Sequence, residues 1–203
     1  MSGGTRTTLT AEDIRKSLGF VAEETHTTTF TRPEWFVRDY SKLSGFCDKW
    51  ELDAQQLGLM YDVKEHRVVF PVVHNGVTVD ATGRSLGNRI PKWKRYGKSV
   101  LPYSFGRGRT AVVVEDCISA AVVGSGVCVG VAVLGTSLSN GHKEYLSQFS
   151  TAIIALDPDA LPKTLQFAKE LRGYVDTVKV LRLTDDIKYR MPTDMANLSS
   201  LGE

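Results

Sequence analysis

Thr110-Ala-Val-Val-Val-Glu115-Asp116 decides how this chain is read. A run of apolar, mostly β-branched residues stops at two carboxylates, and a helical pattern follows. Buried parallel strands read as continuous apolar runs. Open α/β sheets keep their chemistry at the carboxyl ends of such strands. Glu115 therefore stands where an α/β protein holds a working carboxylate. A second run, Ala152-Ile-Ile-Ala-Leu156, ends the same way in Asp157-Pro158-Asp159. Taken singly, each acid could merely cap the helix after its strand. Two neighbouring strand ends, however, would bring three carboxylates together. Such a group raises its own pKa values unless a cation lies among them. Mg²⁺ suits the place, because it takes hard oxygen ligands and keeps waters and phosphate oxygens.

Working outward, residues 116–124 read as a helix and 127–134 as the next buried strand. Ser139 can cap a helix running to Phe149. After Asp159 comes a helix near 160–172, then a last strand, 175–183, ending in Thr184-Asp185-Asp186. The alternation β-α-β-α-β-α-β over residues 110–186 predicts an α/β fold with a central parallel four-stranded sheet flanked by helices.

Upstream the pattern changes. Residues 58–109 read as strands and turns. Arg67-Val-Val-Phe-Pro-Val-Val73 is a strand, Asn75-Gly76 is a strong hairpin signal, and Val77-Thr-Val-Asp-Ala81 returns. Residues 61–110 carry ten Lys/Arg against three Asp/Glu, a net of +7, whereas residues 1–60 carry −2 and residues 111–203 carry −3. Pro91-Lys92-Trp93-Lys94-Arg95-Tyr96-Gly97-Lys98 interleaves cations with rings, a pattern that suits phosphates and stacked bases. An exposed basic loop with its rings tucked into the core would look the same. Residues 1–57 read as an N-terminal helical and linker region of α+β character. It holds a short helix over 11–18, a Thr-rich stretch at 21–31, and a helix opening at Pro33, running to about Ser44 and ended by Gly45. The chain thus divides into 1–57, a basic nucleic-acid-binding subdomain at 58–109, and a catalytic domain at 110–203.

The three cysteines, Cys47, Cys117 and Cys128, form no CxxC pair, which argues against a zinc site or a disulfide framework. Cys117 and Cys128 fall in apolar surroundings and read as buried, inert thiols. The N-terminus is polar and unlike a signal peptide, and no apolar stretch is long enough to span a membrane. The expected location is the cytoplasm.

Residues 58–198 resemble the RNA-polymerase core of bacterial and phage DNA primases of the Toprim type. Arg67-Val-Val-Phe-Pro is similar to the strand opening their basic subdomain. Gly83-Arg84-Ser-Leu-Gly-Asn88 and Pro91-Lys92-Trp93 resemble its Gly-Arg…Pro-Lys-Tyr signature. Tyr103-Ser-Phe-Gly106, Val114-Glu115, Leu134-Gly135-Thr136, Asp157-x-Asp159, Thr184-Asp185-Asp186 and Pro192-Thr-Asp194 follow in the family's order. Two departures stand out: Asp116 replaces a Gly, and Pro162 stands where a small residue and Gly usually follow. No Cys/His quartet for a zinc ribbon and no Gly-x-x-x-x-Gly-Lys-Ser/Thr occurs, so the chain resembles a stand-alone catalytic core of phage type.

That resemblance implies DNA-templated synthesis of short RNA primers by metal-dependent nucleotidyl transfer. Glu115, Asp157 and Asp159 would be the catalytic acids. Mg²⁺ or Mn²⁺ would be held by Glu115, Asp157 and Asp159 with Asp185, Asp186 or Asp194. Arg67, Arg84, Asn88, Lys92, Trp93, Lys94 and Lys98 would contact template or nucleotide. The implied partners are single-stranded DNA, ribonucleoside triphosphates, and a replicative helicase or a separate zinc-bearing protein, in the cytoplasm of a bacterial host. The rival readings are a Toprim nuclease using the same acids and a non-catalytic binder of single-stranded DNA or nucleotides.

Overall fold

The computed structural model describes residues 29–124 and 126–202. The helix expected over 11–18 and most of the Thr-rich stretch lie outside the described residues. Two five-stranded sheets form the frame. The first is an antiparallel meander in chain order: β1 (Phe36–Val37), β2 (Met60–Asp62), β3 (Arg67–His74), β4 (Val77–Ser85) and β5 (Trp93–Arg95). Asn75 and Gly76 make its tight turn with φ of 49° and 77°. Both values are left-handed, the conformation whose twist matches two paired strands.

The second sheet has the order β10-β9-β7-β8-β6. β7 (Thr110–Val114), β8 (Val129–Ala132), β9 (Thr151–Ile154) and β10 (Thr177–Val180) are parallel, as the alternation predicts. β6 (Tyr103–Gly106) adds an antiparallel fifth strand on the β8 edge. The connecting helices are α1 (Tyr40–Trp50) in the first half, then α2 (Cys117–Gly124), α3 (Asn140–Leu146), α4 (Leu161–Leu171) and α5 (Pro192–Gly202).

β7 reads as unbroken apolar sequence because both its faces are buried. Val112 and Val114 join a core that also takes Val68 and Phe70 of β3, Leu43 and Trp50 of α1, and Ile118 of α2. Ala111 and Val113 enter a second core with Leu146 of α3 and Phe167 and Leu171 of α4. The first core reaches across both sheets and binds them into one body. α2 is buried at all eight positions, which explains why it is apolar all round.

One helix differs from expectation. Residues 33–44 do not form a helix from Pro33: Phe36 and Val37 pair antiparallel with Asp62 and Tyr61. The helix begins at Tyr40, where Asp39 caps it by accepting the Ser41 amide. Gly45 does not end it. The helix runs to Trp50 and stops at Glu51, whose backbone is left-handed. Pro162 stands in the first turn of α4, where a missing N–H costs nothing.

α2 lies directly on β8 at Gly130, where a methyl group would overlap the carbonyl of Ala120. The atoms it would meet are all backbone, so they cannot swing aside. Gly130→Ala should lower unfolding stability by about 2–3 kcal/mol, measured by urea denaturation. Gly45→Ala, with open space around it, should raise stability by about 0.5–1 kcal/mol.

Candidate active site

The register of the second sheet builds the site. Val113 pairs with Ile154, so Glu115 after β7 and Asp157 after β9 emerge side by side at the carboxyl edge. They are close enough for Glu115 to act on the Asp157 carboxyl. Asp186 reaches the same place from the loop after β10, one residue before the 3-10 turn Ile187–Tyr189. Burial pushes the Asp157 carboxyl up to about 7. The charges of Asp186 and Glu115 push the same way, while Lys188 opposes them. The mutual repulsion expected of acids at strand ends thus adds to the larger cost of burial.

Asp116 turns to a different task. Its Oδ1 accepts the Ser119 amide at 2.9 Å, capping the first turn of α2, and its Oδ2 meets Lys188 Nζ at 3.1 Å. Lys188 also pairs with Asp186 Oδ2. The other oxygen of Asp186 accepts from Ser119 Oγ at 3.1 Å and from the Lys188 amide at 3.2 Å. Burial works against the charge on Lys188, but Asp116 and Asp186 outweigh it and hold its pKa above the ordinary lysine value. From the first turn of α4, Lys163 Nζ reaches Glu115 Oε1 at 3.2 Å.

The structure separates the remaining acids. Asp159 and Asp185 are exposed at the rim. Asp194 is wholly buried at the start of α5, where its carboxylate accepts from Thr184 N and Oγ1 and from Asp185 N. That position corrects its expected role as a metal ligand: it holds the 184–185 loop instead. Among the described residues, no three His, Cys, Asp or Glu side chains are grouped to hold a metal ion as they stand. A pair is available in Glu115 and Asp157. Mg²⁺ is commonly bound by one or two carboxylates plus waters and substrate phosphates. The pair, with Asp157 outside any ion pair among the described residues and with hard oxygen donors on both side chains, fits that ion.

The basic segment borders this cluster. Arg84 on β4 is half-buried: burial lowers its pKa, and the nearby charge of Asp116 raises it. Its guanidinium lies 5.8 Å from the Trp93 ring centre, and Trp93 packs against Phe70 at 5.8 Å. Asn88, Arg89, Lys92 and Lys98 are exposed. Lys94 is tied to Glu65. Arg67 is a correction to the expected nucleic-acid surface, because it is wholly buried. Its Nε binds Glu65 at 2.9 Å and one Nη donates to the Pro91 carbonyl at 2.8 Å. It braces the loop that carries Lys92. Buried Asp80 accepts from the amides of Ala81, Gly97 and Ser99 and pairs with Arg95. Asp62 accepts from Tyr96 Oη and from two turn amides.

Sequence reading missed Lys163, Lys188, Ser119 and the structural duty of Asp116. The only local signal was a lysine two residues beyond Asp186. Cys117 and Cys128 are buried as expected, Cys47 is buried as well, and burial raises each thiol. Among the described residues, no helix is long and apolar enough to cross a membrane.

The chain thus joins an antiparallel meander to a mostly parallel sheet with acids at its carboxyl edge. Solved structures carry the likeness. A DnaG primase catalytic domain bound to single-stranded DNA superposes with a TM-score of 0.64 at 16% identity, over 82% of this chain and 74% of that one. The E. coli primase catalytic core gives 0.58 at 16% identity, over 79% and 73%. The primase fragment of the bacteriophage T7 primase-helicase gives 0.56 at 16% identity, over 84% and 80%. No protein-family model matches the chain, and no curated protein matches it. At these identities the likeness establishes the fold: this chain folds as a bacterial or phage primase core.

The raised Asp157 carboxyl has a pH signature. Its folded-state pKa, about 7, lies above the ordinary 3.8, so the fold prefers the protonated form. The contribution is fully present below about pH 4 and is lost as pH rises through about 7. Asp157→Asn mimics the protonated acid. After solvent screening it should stabilise the metal-free protein by about 1–2 kcal/mol at pH 8, a rise of about 2–8 °C in Tm. At pH 4 the gain should vanish, as differential scanning calorimetry at the two pH values would show.

Proposed function

We propose that this chain is the catalytic core of a DNA primase, joining ribonucleotides on a single-stranded DNA template. The observation that carries the reading is the Glu115–Asp157 pair at adjacent strand ends, beside a basic segment, within this fold. Phosphoryl transfer asks a protein mainly for positioning and charge balance, and these two features supply them. Exposed Lys92 and Lys98, with Asn88, would contact template or nucleotide phosphates. Arg84, near enough to Asp116 to feel its charge, would meet phosphate oxygens where the basic segment joins the acids. Glu115 and Asp157 would hold Mg²⁺ or Mn²⁺, with exposed Asp159 and Asp185 available at the rim. Bound there, such an ion lowers the pKa of an attacking hydroxyl and offsets charge on a departing pyrophosphate. Asp194 and Ser119 would keep the 184–186 loop in place.

The basic sheet ahead of Glu115 favours templated synthesis over phosphodiester hydrolysis, which needs no such platform. The similar DnaG domain is bound to single-stranded DNA, and the similar T7 fragment comes from a primase-helicase. A helicase or a zinc-bearing protein is the corresponding partner here, in the cytoplasm of a bacterial cell. The test is primer synthesis on single-stranded DNA with labelled ribonucleotides and Mg²⁺ or Mn²⁺. The chain should make oligoribonucleotides, and Glu115→Gln or Asp157→Ala should reduce turnover by about 100-fold or more. Absence of product from the wild type, or full turnover in either variant, would overturn the proposal.

A further inference from the structure

Lys188 lies in the 3-10 turn Ile187–Tyr189 that follows β10. It stands inside the cluster, and its neighbours fix it there. Its ammonium group meets Asp116 Oδ2 at 3.1 Å and also binds Asp186. Its side chain is only 13% exposed. On the far side the ammonium lies 5.8 Å from the ring centre of Trp50 on α1, and the next residue, Tyr189, packs on the same ring at 5.5 Å. Arg190 then donates to the Glu51 carbonyl at 3.2 Å. The end of α1 therefore grips the turn that presents this lysine. Asp116 is held in turn by the Ser119 amide, which its other oxygen accepts at 2.9 Å.

Three of the cleft's acids already have an ammonium partner: Lys163 pairs with Glu115, and Lys188 pairs with both Asp116 and Asp186. Asp186 has both oxygens committed to Lys188 and Ser119, so it is closed to a second ion while the lysine stays.

We propose that Lys188 is an internal cation that does the charge-balancing work of a second metal ion, so that the cleft takes a single divalent ion at Glu115 and Asp157. The proposal rests on the reading of those two acids as the metal pair. It makes Lys188 a positioning residue, holding Asp186 and Asp116 without touching substrate.

Mn²⁺ titration of the full chain without nucleotide, followed by the electron paramagnetic resonance signal of free Mn²⁺, tests it. The wild type should bind one equivalent. Lys188→Met should expose Asp186 and bind a second equivalent, with a Kd within about tenfold of the first. Lys188→Arg, which keeps the charge, should return to one. Two equivalents in the wild type, none in the wild type, or one in a folded Lys188→Met protein would each overturn the inference. Should Lys188→Met fail to fold, the wild-type stoichiometry decides alone. A wild type that makes primers yet binds two ions would sink this inference and leave the polymerase reading standing.

Discussion

Carboxyl groups at the ends of adjacent parallel strands cannot all ionise without a cation, and much of this molecule answers that constraint. The strands must be parallel and in register for Glu115 and Asp157 to meet, which requires the crossover helices and two buried faces. Burial, joined by the charges of Asp186 and Glu115, lifts the Asp157 carboxyl to about 7. Lys163 and Lys188 offset part of the acids' charge. The neighbouring basic sheet places Arg84 within electrostatic reach of the same cluster. The acids are costly to the folded state and useful for the same reason: they have an unmet demand for positive charge.

The rest of the architecture keeps this edge rigid. α2 carries Ser119 and is capped by Asp116, so the elements beside Glu115 are fixed by its backbone. The helix can lie close to the sheet because residue 130 has no side chain to hold it away. Buried Asp194 fastens the 184–185 loop from behind. In the first sheet, Arg67, Asp62 and Asp80 are interior polar groups that brace loops. They hold the segment that leaves Lys92 and Lys98 exposed.

The parallel sheet was legible because its strands are buried on both faces and read as unbroken apolar runs ending in acids. The hairpin at Asn75-Gly76 was legible because few residue pairs accept two left-handed conformations. What escaped was set by contacts between residues distant in sequence. Phe36 and Val37 look helical beside Pro33, and only their pairing with Asp62 and Tyr61 makes them a strand. Arg67 looked like one more cation in a basic block, yet strand β3 carries it into the interior. Asp194 continued an acidic pattern but points inward at amides. The meeting of Lys188 with Asp116 spans 72 residues, and no local spacing announces it.

The most direct measurement is an anomalous diffraction map from crystals of the full chain soaked in Mn²⁺. A peak ligated by both Glu115 and Asp157, with Asp194 still turned toward Thr184, is the predicted result. A map with Mn²⁺ bound only at the rim by Asp159 or Asp185, or at no carboxylate of the cleft, would contradict it.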